Sequence, residues 1–282
     1  MKRRLPTWIG APRLDPVLLV LLLLIIACGL AILYSASDQD MGMMKRQVIR
    51  LGIGLVVMLI ISQVPPRVLR SWTPWLYFLG ISMLLATWWL GVGRGTQRWL
   101  DLGLFRFQPS ELMKLAVPMM LAWYLHPKVL PPAWKLVLIS LGILIIPTLL
   151  IARQPDLGTS LLVAASGIFT LYLAGLRWRV LFGLAGLLAA AAPILWLIMK
   201  EYQRDRVRTF LNPEADPLGQ GWNIIQSKIA VGSGGLTGKG WLNGTQSRLE
   251  FIPERHTDFI LAVFSEEFGF IGVALLLFLY LA

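Results

Sequence analysis

Cysteine and histidine are almost absent from the 282 residues: the chain has one Cys, at position 28, and two His, at 126 and 256. One thiol cannot close an intrachain disulfide, and two imidazoles with one thiol do not make a His/Cys zinc constellation. Cys28 lies inside an apolar run, where a thiol packs as a small hydrophobe. Nucleophilic triads lack a base, because only His256 would stand on the side assigned below to the exterior and no G-x-S-x-G turn accompanies it. Charge is scarce as well. Asp, Glu, Lys and Arg make up 15% of the chain, and acids are the scarcer sign, 15 against 26 bases.

What is present is hydrophobic surface, 56% of residues, far from the average soluble domain. Apolar runs occur at 16–35, 48–64, 72–91, 109–125, 134–152, 157–175, 180–199 and 259–282. Each is long enough to read as a membrane span, which predicts an all-α, polytopic membrane helix bundle of about eight spans. The first run follows "MKRR" but has no small-residue cleavage site after it, so it reads as a retained helix. The eighth ends at Ala282 with no closing polar anchor, so further spans are expected beyond it. Short turns ("VPPRVLR", "HPKVLPPAWK", "GLRWR") join most runs; longer loops lie at 92–108 and 200–257.

Basic residues orient such a bundle, since short cytoplasmic loops collect them. Lys2, Arg3, Arg4, Arg13, Arg67, Arg70, Lys128, Lys135, Arg177 and Arg179 fall on the N-terminal face, which is placed inside. Lys45, Arg46, Arg94, Arg98, Arg106 and Arg153 fall on the other, where nearly every Asp and Glu also lies. A mixed polar surface outside suggests a site, and the segment 200–257 is expected to be a partly ordered outer loop. The net charge of +11 suits anionic lipid headgroups or an anionic lipid-linked substrate. Nucleic acid is not indicated, because the bases are scattered through loops and not gathered on one soluble domain.

Two patterns carry less than they promise. "GSGGLTGKGW" (232–241) resembles a phosphate-binding loop, but Ser233 and Gly240 stand where that loop needs Gly and Ser or Thr. No strand precedes it, so it reads as a flexible Gly-rich loop, and no nucleotide cofactor is expected. Asn243, Gly244 and Thr245 match a glycosylation sequon, a weak three-residue pattern.

The charges inside apolar segments say more. Glu111 and Lys114 stand three apart at the start of the fourth run, on one helix face. Burial in lipid is costly, so they should face the bundle interior, paired to each other or to a substrate; interfacial snorkelling is the simpler alternative. Asp156 in "ARQPDLGTSLL" could be a helix N-cap or a site residue. Asp258 opens the last run, and at helical spacing it would share a face with Ala262, Ser265 or Glu266, and Gly269. Small residues there mark a seam, which would aim the carboxylate along a protein-lined groove.

"RWLDLGLFRFQPSELMK", "ARQPDLGTS", "IIQSKIAVGSGGLTGKGW" and "GTQSRLEFIPERHTDFILAV" together resemble the SEDS family, the shape, elongation, division and sporulation proteins. The likeness runs over the whole chain in one order. "FQPSE" and "QSKIAVGSGG" fit its rod-shape branch better than its division branch. The family usually has about ten spans, so about eight are present here, in a single domain whose large extracytoplasmic loop is 200–257. The resemblance implies a peptidoglycan glycosyltransferase of the bacterial inner membrane that polymerises lipid II on the outer face. It implies a class B penicillin-binding protein and other elongation-complex proteins as partners. By the same resemblance the catalytic acid of the "HTDF" motif falls on Asp258, the groove residues on Glu111, Lys114 and Asp156, and a weaker transfer on Arg106.

The chemistry agrees with one carboxylate. A sugar hydroxyl attacks the anomeric carbon of a lipid diphosphate donor, and a carboxylate in hydrogen-bond reach takes its proton. The diphosphate leaves as a stable anion, so one base with cationic stabilisation suffices, where glycoside hydrolases need a second carboxyl as acid. Lys114, nearby Arg side chains or a divalent cation (Mg2+ or Mn2+) could supply the positive charge; metal ligands are not identified. A lipid II flippase or transporter and a non-catalytic scaffold stay open as competing readings of intramembrane charge.

Overall fold

A computed structural model of the chain describes residues 14–92, 98–101, 103, 106–154, 156–199, 201–217, 219, 221–249, 251–252 and 254–282. The basic tail (Lys2, Arg3, Arg4, Arg13), Arg94 and Pro155 lie outside the described residues. In chain order the helices are α1 (Pro16–Ala36), α2 (Met41–Gln63), α3 (Pro66–Leu90), α4 (Pro109–Leu125), α5 (Trp134–Arg153), α6 (Leu157–Leu173), α7 (Trp178–Ile198), α8 (Glu201–Leu211), α9 (Trp222–Ser233), α10 (Thr245–Arg248) and α11 (Ile260–Leu281).

All eight apolar runs are helices, α1 to α7 and α11. The reason is that a chain in hydrocarbon must satisfy its own backbone N–H and C=O groups, and a single helix does so within one segment. Helices outrun the apolar stretches where polar ends can still hydrogen-bond along the axis. Thus α2 starts at Met41, before the run at 48, and carries Lys45, Arg46 and Arg50 in its first half. Among the described residues four helices are long and apolar enough to cross a membrane: α1, α3, α5 and α11, with α6 a shorter apolar helix.

The chain forms two compact units, 64–193 and 1–63 with 194–282. In the first, α3, α4, α5 and α6 pack around Leu84, Met113, Leu121, Ile151 and Val163, all buried. Small residues set the spacing, as expected where lipid supplies no hydrophobic drive between helices. A Cβ on Gly80 would lie 2.3 Å from the Met113 sulfur, and one on Gly167 would lie 2.3 Å from Leu144 Cδ1. The loop at 92–108 is not wholly irregular: β1 (Gly91–Val92), β2 (Trp99–Asp101) and β3 (Arg106–Phe107) make a small antiparallel meander.

In the second unit the segment 200–257 folds into α8, a 3-10 turn (Pro213–Ala215), α9 and α10. The expectation of a flexible Gly-rich loop fails. Residues 232–241 are the end of α9 and the loop after it, and the loop is bound to a break in α11 at Gly269, where φ is 64° and ψ is −165°. The amides of Lys239 and Gly240 donate to Glu266 O and Glu267 O, each at 3.0 Å; those of Phe270 and Ile271 donate to Gly235 O (2.9 Å) and Leu236 O (3.0 Å). The helix ladder is exchanged for a loop ladder, which satisfies these backbone groups within the protein. Glycine is needed for the approach. A Cβ on Gly238 (φ 79°) would stand 2.1 Å from Glu267 O, and one on Gly269 would stand 2.3 Å from Gly238 N.

Candidate functional site

Asp258 does not share a helix face with Ala262, Ser265 and Gly269, because α11 begins two residues later, at Ile260. Its N-cap is Phe259, which offers no side-chain cap, so Asp258 is not the helix cap either. The reason is local. The amides of Thr257 and Phe259 both donate to Glu254 O at 3.2 Å, and the Thr257 hydroxyl donates to Glu254 Oε2 at 3.1 Å, closing a turn ahead of the helix. Asp258 is exposed on that turn, and among the described residues its carboxylate has no hydrogen bond or ion pair.

The turn itself is anchored. Ile252 is 0% exposed and packs with Ala230, Ala262 and Phe259; Trp222 Nε1 donates to Phe251 O at 2.7 Å; the Arg255 guanidinium pairs with Asp38. Trp241 is tied down in the same way, with Nε1 donating to Ala31 O at 3.1 Å. Both indoles spend their N–H on protein carbonyls.

Below the turn, the seam expected from small residues exists, but it hides two carboxylates. Glu266 and Glu267 are 0% and 1% exposed. Glu266 Oε1 accepts from Lys239 Nζ (2.7 Å), Thr245 N (2.8 Å), Thr245 Oγ1 (2.9 Å) and Gln246 N (3.1 Å). Glu267 accepts from the Ser35 hydroxyl of α1. The residues from Lys239 to Gln246 thus wrap a buried anion, and satisfied donors make such burial tolerable. The sequence signal was available: two adjacent Glu inside an apolar run are too costly to be incidental.

In the unit 64–193, Glu111 and Lys114 pair at 2.7 Å, as their spacing predicts. They are not buried. Their side chains are 51% and 36% exposed, on the first two turns of α4. An i,i+3 pair in this setting stabilises by about 0.2 to 0.5 kcal/mol. A double-mutant cycle on Glu111→Ala and Lys114→Ala should therefore give a coupling below about 1 kcal/mol in detergent unfolding. A coupling of several kcal/mol would show a desolvated pair instead.

Asp156 caps its helix and makes two further contacts. Its Oδ1 accepts from Thr159 N at 3.2 Å as the N-cap of α6, and its Oδ2 accepts from Gln108 Nε2 at 3.0 Å and lies 3.8 Å from Arg98. Gln108 also donates to Ser110 Oγ at 2.9 Å, which links Asp156 to the turn that carries Glu111. Arg98 Nε donates to Gln154 O at 3.0 Å, and Gln154, 4% exposed, bonds Leu84 O and Thr87. Gln108, Arg98 and Gln154 were missed by sequence reasoning. The clue was the Gln-Pro dipeptide repeated just before each acid, at 108–109 and 154–155. Arg106 stands apart, exposed and paired to Asp101 at 3.9 Å, with no bond to Glu111, Lys114 or Asp156 among the described residues.

Among the described residues no three His, Cys, Asp or Glu side chains gather as metal ligands.

Fold and site define an all-α, polytopic membrane protein with charged side chains gathered at helix ends. The profile of the FtsW, RodA and SpoVE family, described as cell cycle protein, matches residues 15–282. Peptidoglycan glycosyltransferase MrdB of Escherichia coli (strain K12) is 54% identical over 270 residues, 95% of this chain and 73% of that protein. Stage V sporulation protein E of Bacillus subtilis (strain 168) is 37% identical over 94% of this chain and 76% of its own. Among solved structures, a chain from "Structural coordination of polymerization and crosslinking by a peptidoglycan synthase complex" superposes with a TM-score of 0.78 at 33% identity, covering 94% of this chain and 74% of that one. Rod shape determining protein RodA of Thermus thermophilus gives 0.66 at 29%, covering 98% and 73%. The chain belongs to the SEDS family.

Proposed function

We propose that the chain is a peptidoglycan glycosyltransferase that polymerises lipid II, an undecaprenyl-diphosphate-linked substrate, into glycan strands for cell elongation, with Asp258 as general base. The observation that carries this is the Asp258 carboxylate, exposed and unpaired among the described residues on a turn anchored on both sides of it by Arg255, Thr257 and Phe259. An acid held in place yet left without a partner suits a group whose partner is a substrate proton. Support for the reaction comes from the 54% identity to a protein named peptidoglycan glycosyltransferase.

The step balances with this chain's own groups. A sugar hydroxyl forms the new C–O bond at the anomeric carbon, its proton passes to Asp258, and the carrier diphosphate departs as an anion. Glu111, Lys114, Asp156 and Arg106 are assigned to substrate binding in their own unit, with Lys114 and Arg106 supplying positive charge for phosphate. The site faces outward from the bacterial inner membrane. The partner is a class B penicillin-binding protein, a pairing supported by the likeness to a chain of a complex in which polymerisation and crosslinking are coordinated.

The test is direct. Full-length protein purified with that partner should convert labelled lipid II into long glycan chains resolved on a gel. Translocation of lipid II across vesicles with no polymer formed would favour a flippase instead.

A further inference from the structure

We propose that Asp38 is a positioning residue for the Asp258 carboxylate, acting through Arg255; this rests on the general-base reading of Asp258. Asp38 lies in the turn between α1 and α2, and it pairs with Arg255 across 217 positions of sequence.

The Asp38 turn is built to present a side chain. Asp38 and Gln39 are both left-handed, with φ 52° and 64°, a region most L-residues avoid and Asp and Asn tolerate best. The turn is closed by Gln39 N donating to Tyr34 O at 2.9 Å and by Asp38 N donating to Ser35 O at 3.2 Å. Asp38 also borders a cavity of about 330 Å³ with Ser35, Gln39 and Leu242, so a side chain of equal size changes there without obstruction.

Arg255 is the receiving end. It is 9% exposed, which is rare for arginine unless its charge is matched, and it stands three residues before Asp258 in the same closed turn. An unpaired carboxylate has nothing of its own to hold it, so the backbone of 254–259 sets where Asp258 points. Arg255 clamps that backbone to α1 and α2, while Ile252 and Phe251 clamp it to α9. A base must lie within hydrogen-bond reach of the proton it takes, and an offset of about 1 Å can cost on the order of 10² in rate. Asp38 touches no substrate; its effect passes through Arg255.

The experiment measures labelled lipid II polymerisation by full-length protein with its crosslinking partner. Asp38→Asn keeps size and left-handed tolerance but removes the charge. It should lower kcat by about tenfold or more while KM stays within about twofold, with the variant still folded and co-purifying with its partner. Arg255→Lys, which keeps charge and loses the planar fork, should fall less far than Arg255→Gln. The Asp38→Asn/Arg255→Gln double variant should be no slower than the slower single, as expected of one unit.

Unchanged kcat in Asp38→Asn, beside an inactive Asp258→Asn, overturns the positioning role and leaves the base standing. Normal polymerisation by Asp258→Asn removes the base, and this proposal with it. A parallel loss of folding, or a rise in KM that accounts for the lost turnover, shows a merely structural pair and overturns the proposal as well.

Discussion

Asp258→Asn is expected to fold, reach the membrane and bind its penicillin-binding partner while glycan polymerisation falls by a factor on the order of 10² or more, as loss of a general base does. Asn keeps the size and polarity of Asp and cannot accept the proton of an attacking hydroxyl. Structure makes the comparison clean. Because Phe259, not Asp258, holds the N-cap position of α11 and Asp258 makes no hydrogen bond among the described residues, the substitution breaks no contact. An exposed, uncommitted side chain of this kind usually changes stability by less than about 0.5 kcal/mol. Loss of activity would then be chemical and not structural. Near-native chain synthesis by the Asn variant, with partner binding verified by co-purification, would return Asp258 to an ordinary surface acid.

The second large effect lies deeper, at Glu266. Its carboxylate is 0% exposed and neutralises Lys239 while accepting from Thr245 and Gln246. Glu266→Ala strips those donors of their acceptor and leaves an ammonium in a mostly closed site, where its side chain is 28% exposed. Breaking a buried ion pair from one side commonly costs about 3 to 5 kcal/mol. The expected result is a marked drop in detergent unfolding temperature and faster proteolysis within 236–249. Glu266→Gln, which keeps the shape and one acceptor oxygen, should lose less, about 1 to 3 kcal/mol. An Ala variant as stable as the wild type would mean that water replaces the carboxylate, and the buried network would not be a structural element.

Much of this was legible in the sequence where the interaction is local. Eight apolar runs became eight helices, since run length and the demand for backbone satisfaction are properties of one segment. Glu111 and Lys114 meet because three residues is nearly one helical turn, and Asp156 caps α6 because an acid before an apolar helix has free amides in front of it. Their degree of burial was not legible, since it depends on what packs over the turn. The family resemblance likewise followed from motifs read in order.

Tertiary structure alone decided the rest. Glycines at 234–240 read as slack chain; the break at Gly269 made them contact, because there α11 offers free carbonyls and amides to a second backbone. Glu266 and Glu267 became hidden carboxyl groups because that loop and Ser35 bring donors from distant sequence. Asp258 left the helix face that periodicity assigned it when Glu254 captured the amides of Thr257 and Phe259. Arg255 found Asp38 across 217 positions, a pairing that no local pattern encodes. Periodicity and spacing specify which face a residue occupies, whereas the identity of what meets that face depends on long-range contacts that exist only in the folded chain.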